Sequence, residues 1–141
     1  MEPRVTLITL GVADLARATA FYAALGWPRR FTAAEGVAFF QIGPIGLSLF
    51  PTGALAADAG VATGGGGFRG MSLAQNVASR AEVDTVIATM LAAGGTLTKP
   101  AEEKDWGGYG GYVADPDGHA WEIAWNPFFP LDDDGAVTIP E

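Results

Sequence analysis

The strongest constraint on this chain is that it nearly repeats itself. An extended run ends in Val12-Ala13, and another ends 65 residues later in Val77-Ala78. After each comes a residue suited to capping a helix (Asp14, Ser79), an amphipathic stretch, and a closing glycine (Gly26, Gly94). Such self-similarity points to a duplicated supersecondary unit. Each copy reads as strand, helix, then three strands.

The first copy begins with a period-two strand over Val5–Val12, apolar on both faces, as suits a strand with a helix behind it and a pocket in front. Leu15, Ala18, Tyr22 and Leu25 form the stripe of the helix that follows, and Trp27-Pro28 stops it. Strands are predicted near Arg29–Ala33, Val37–Ile42 and Leu47–Phe50. In the second copy Val83, Val86, Ile87, Met90 and Leu91 form the helix stripe. Strands follow near Gly95–Thr98, Gly111–Ala114 and His119–Trp125, the last two joined by the tight-turn sequence Asp115-Pro116-Asp117-Gly118.

The resulting division is a single domain over 1–141, made of a module at 5–50, a Gly/Ala-rich linker at 51–70, a second module at 71–126 and a tail at 127–141. The expected fold class is α+β: two βαβββ modules forming a curved eight-stranded mixed sheet around a cavity, helices outside. Gly64 to Gly70 lacks the Lys-Ser/Thr of a phosphate loop, so the linker reads as a connection or a flap over the pocket. The tail, with Phe128, Phe129 and Leu131, is apolar enough to be expected to pack against the body.

Net charge is −8, and it is unevenly placed. From Glu102 to Glu141 there are ten acids and one base; before that, six acids and seven bases. Such a surface repels phosphate backbones, so nucleic acid is not an expected partner, while a cationic ligand would be attracted. No apolar run approaches the ~20 residues of a membrane span, and the start lacks a secretory pattern, so the reading is cytoplasmic and not membrane-bound. With no cysteine and one histidine, thiolate chemistry and Cys-based zinc are excluded, and no Ser-His-Asp arrangement is evident.

If Glu122 faces the cavity, period two puts Ala120 and Ala124 beside it and turns Trp121, Ile123 and Trp125 to the helix layer. The equivalent face of the second copy's first strand carries Ser72, Ala74 and Asn76; the first copy's first strand offers Val5, Leu7 and Thr9. This lining suits an organic ligand rather than an ion. Glu122 is its notable group, as acid/base or as hydrogen-bonding anchor. The glycine-spaced aromatics Trp106, Tyr109 and Tyr112 read as a loop covering the ligand. His119 reads as a turn residue. Trp27, Trp121 and Trp125 read as core.

The doubled βαβββ pattern, Val12-Ala13-Asp14-Leu15-Ala16-Arg17 and the Asp115-Pro116-Asp117-Gly118-His119-Ala120-Trp121-Glu122-Ile123 hairpin resemble the vicinal oxygen chelate superfamily. That group includes glyoxalases, bleomycin-resistance proteins and extradiol dioxygenases. The resemblance implies metal ligands on the first and last strands of each module. Here those positions fall on or beside Leu7, on or beside Ser72, within Leu47–Phe50, and on Glu122; only Glu122 is a donor of the family's kind. The chain therefore resembles a metal-ligand-poor member, with no metal and no cofactor expected. It reads as a small-molecule binding protein of the glyoxalase/bleomycin-resistance type and a homodimer. Its expected partner is a small organic molecule, cationic or hydrogen-bonding. The alternative is a lyase, isomerase or dioxygenase using Glu122 as acid/base or in an atypical metal site. Expected ligand-binding residues are Glu122, Trp106, Tyr109, Tyr112, Ser72, Asn76, Leu7 and Thr9.

Overall fold

A computed structural model describes residues 5–65, 67, 68, 70–137 and 139. Residues 1–4, 66, 69, 138, 140 and 141 lie outside the described residues, and with them part of the Gly-rich linker and the end of the tail. The chain forms two compact units, dividing before Gly70.

The first unit contains β1 (Leu7–Val12), α1 (Leu15–Ala24), β2 (Arg29–Arg30), β3 (Ala38–Ile42), β4 (Ile45–Pro51) and α2 (Thr52–Ala59). Its strands are ordered β1-β4-β3-β2, with β1 parallel to β4 and the other pairs antiparallel. Asp14 caps α1 by accepting from the Arg17 N–H at 3.0 Å, and Gly26 follows the helix at φ 82. The helix buries Ala18, Phe21 and Tyr22 against the sheet face that carries Leu10, Val12, Phe40, Leu47 and Leu49. Tyr22 is the hub, with ring centroids 5.0 Å from Phe21, 5.4 Å from Trp27 and 5.9 Å from Phe40.

The second unit repeats the plan with β5 (Ser72–Asn76), α3 (Arg80–Ala92), β6 (Thr96–Glu103), β7 (Tyr109–Ala114) and β8 (Ala120–Trp125), ordered β5-β8-β7-β6. Again the first strand lies parallel to the last, and the others are antiparallel. Ser79 accepts from the Glu82 N–H while Glu82 accepts from the Ala78 N–H, a reciprocal cap. Helix α3 buries its own Val83, Ile87 and Met90, and Val113, Trp121 and Ile123 of the sheet are buried as well. Two βαβββ modules are therefore present, and their eight strands are hydrogen-bonded as two four-stranded mixed sheets.

Three local differences from the sequence reading have clear causes. The strand expected over Arg29–Ala33 stops at Arg30, because Phe31 takes φ 46 and a turn closes from the Ala34 N–H to the Phe31 carbonyl. The segment taken as linker opens with helix α2, which follows directly on Pro51 and ends at left-handed Gly60. The glycine-spaced aromatics do not form a free loop. Lys104 and Gly108 pair at 2.8 Å to close a hairpin, so β6 runs on to Glu103 and Tyr109 and Tyr112 belong to β7.

In the tail, Leu131 bridges to Val137, and Asp132 closes the small loop by accepting from the Asp134 and Ala136 N–H groups. Tail residues Leu131, Asp132 and Asp133 border a groove with Asn76, Glu82 and Thr85. Among the described residues, no helix is long and apolar enough to cross a membrane.

Candidate functional site

Parity along β1 sends Leu10 and Val12 under α1 and leaves Leu7 and Thr9 on the other face of the first sheet. Register places Thr9 beside Ser48, and Ser48 beside Phe39 of β3. The two hydroxyls bond each other at 2.5 Å, which satisfies Ser48, a side chain only 2% exposed. Leu7, Thr9, Val37, Phe39, Ser48 and Phe50, with Leu55 and Asp58 of α2, line a cavity of about 230 Å³.

Helix α2 reaches this face because β1 carries a glycine there. A Cβ on Gly11 would stand 3.2 Å from the Thr52 hydroxyl and 3.4 Å from Leu55, so a side chain at Gly11 would press on the helix. Sequence reasoning placed Leu7 and Thr9 on this face. It missed Val37, Phe39, Ser48, Phe50, Leu55 and Asp58; strand parity through β3 and β4 would have supplied the first four. Phe31 was also missed. It is 73% exposed, and its ring lies 6.3 Å from Phe39.

On the second sheet, one row runs Lys99, Tyr112, Glu122, Ala74 across β6, β7, β8 and β5. Tyr112 and Glu122 are direct cross-strand neighbours on β7 and β8. Burial, then the negative charge of Glu122 and a hydrogen bond to it, push the Tyr112 phenol above its ordinary value; Lys99 opposes the rise. Ser72 and Asn76 share this face with Glu122, in register with Ala120 and Ala124.

The structure thus brings Glu122, Tyr112, Ser72 and Asn76 onto one face, and Leu7 and Thr9 onto one face of the other sheet. Tyr109, at odd offset from Tyr112, points the other way, and its hydroxyl donates to Asp84 of α3 at 3.0 Å. Trp106 sits at the hairpin tip, 44% exposed, its ring folded over Gly108 so closely that a Cβ there would overlap it. His119 is held by the turn: its Nδ1 lies 2.8 Å from Asp115, which also accepts from the backbone N–H groups of Asp117 and His119. Trp125 is covered by the Arg80 guanidinium at 4.4 Å, which is also paired to Glu103 at 2.9 Å.

A profile for the Glyoxalase/Bleomycin resistance protein/Dioxygenase superfamily matches residues 4–123. The chain belongs to that superfamily. A glyoxalase-related enzyme from Fulvimarina pelagi is 40% identical, with 99% of each chain covered and a TM-score of 0.87. A hypothetical protein from S. aureus shares the fold at 22% identity, TM-score 0.77, covering 89% of this chain and 95% of its own. A lactoylglutathione lyase from Agrobacterium tumefaciens shares it at 23% identity, TM-score 0.68, covering 89% and 96%. No curated protein matches the chain.

The superfamily's divalent metal can be tested against the donors present. By the resemblance, first-strand ligands would fall on or beside Leu7 and Ser72, and neither residue is a His, Asp or Glu. Of the β4 side chains, Ser48 and Phe50 face the cavity, and Ser48 is committed to Thr9. Among the described residues, no three of His, Asp and Glu gather where they could share a metal ion. One carboxylate is a poor site for a transition metal, which takes three or four protein ligands. The residues do not fit the metal.

Proposed function

We propose that this superfamily member binds a small organic molecule without a divalent metal. The observation that carries the reading is the first-sheet cavity: where the superfamily places ligands, its walls are Leu7, Phe39 and Phe50 with the Thr9–Ser48 hydroxyl pair. Apolar walls with a few fixed polar groups are the ordinary lining of an organic-ligand site. We propose further that the chain acts as a cytoplasmic homodimer, a reading supported by the superfamily resemblance and by exposed Phe68 and Phe128.

A second reading is an isomerase or lyase, favoured by the Tyr112–Glu122 pair, which sets a proton donor against a carboxylate. Native mass spectrometry of freshly purified protein tests the first reading. An added mass that is organic, lost on gentle activation and unaffected by chelator, is the expected result. A mass of one metal ion per chain overturns it.

A further inference from the structure

We infer that the first-sheet cavity takes a small arylalkylamine, its ring against Phe39 and Phe50 and its ammonium group at Asp58. This rests on the reading of that cavity as an organic-ligand site and goes further by naming the ligand's chemistry.

Size comes first. At about 230 Å³ the cavity, which is open to solvent on one side, has room for one ring and a short chain. Its walls select for a flat ring. Phe39 and Phe50 supply aromatic faces, and the Phe31 ring lies 6.3 Å from that of Phe39. Phe31 holds φ 46, a conformation that bulky residues rarely adopt, and leaves its ring 73% exposed.

The charge preference comes from α2. Asp58 lies three residues after Leu55, on the same side of the helix, and both border the cavity. Among the described residues Asp58 has no hydrogen bond and no ion pair. It also sits in the last turn of α2, where the helix's own carbonyls are the negative end of its dipole and no basic residue offsets them. A carboxylate there is poorly placed for helix stability and well placed to receive a cation. The Thr9–Ser48 hydroxyl pair adds a polar spot to the wall of the same cavity.

The test is a chemical-shift titration of isotopically labelled protein with 2-phenylethylamine and, separately, 2-phenylethanol, on the native chain and on Asp58→Asn. Asp58 is exposed, so the variant keeps the fold, and its own spectrum verifies this. Both probes are expected to shift Leu7, Thr9, Phe39 and Leu55. The amine should bind about fivefold more tightly at low salt, and this advantage should vanish in Asp58→Asn and shrink as salt is added. Equal binding of amine and alcohol overturns the charge preference and leaves the organic-ligand reading of the cavity standing. No shift at the cavity residues from either probe overturns both. Shifts confined to the acidic tail at Asp132 to Asp134 overturn the assignment of the amine to this cavity.

Discussion

The environment of Tyr112 changes its chemistry. Its phenol is raised above 10.0 by burial and by Glu122, so the folded state holds the proton more tightly than the unfolded chain does. That contribution to stability is fully present below the unfolded value and is lost as pH rises through the folded value. The Tyr112 contribution should therefore not vary with pH near neutrality, and stability should fall at alkaline pH. In Tyr112→Phe this alkaline loss should be smaller, as followed by urea denaturation at several pH values. Glu122→Gln removes the negative charge while keeping the shape, so the Tyr112 phenol should move back toward its ordinary value in an absorbance titration. An unchanged Tyr112 titration in that variant would mean that burial alone sets it. The pairing of Tyr112 with Glu122 was not legible in the sequence. Nine residues and a turn separate them, and only the β7–β8 register makes them neighbours.

At the scale of elements, the repeat was legible because both helices begin and end by local chemistry. Asp14 and Ser79 cap as their residue types suggest, and Gly26 and Gly94 take φ 82 and φ 104 just after the helices. Ser79→Ala should cost about 1 kcal/mol of stability, read as a lower denaturation midpoint. Gly95 is a stricter test of packing between α3 and the second sheet. A Cβ there would stand 2.8 Å from Val113 and 2.9 Å from the Met90 carbonyl, so Gly95→Ala should destabilise by about 1–3 kcal/mol in the same assay. What escaped the sequence was α2 and the true extent of β6 and β7. The α2 segment is alanine-rich with a single buried residue, Ala56, so it shows no amphipathic period to detect. The glycines between Trp106 and Tyr112 suggested a loop, yet Gly110 and Gly111 are strand residues crowded by neighbouring backbone. They are glycine because β6 and β8 come too close for a side chain.

For the whole molecule, the sequence carried the superfamily, since two copies of one topology and a matching Asp-Pro-Asp-Gly hairpin are hard to combine otherwise. It did not carry the first-sheet cavity in full, because Asp58 and Phe31 reach that face through α2 and through a turn. Sedimentation at tens of micromolar should show a dimer; a monomer would remove the homodimer from the account. The central claim is that binding needs no divalent metal, and elemental analysis of untagged protein from metal-supplemented cells, followed by calorimetric titration with Zn, Ni, Mn and Fe(II), tests it most directly. The account predicts well under one equivalent of each metal as purified and no saturable binding in the micromolar range. One tightly held equivalent per chain, released by Glu122→Gln, would contradict it.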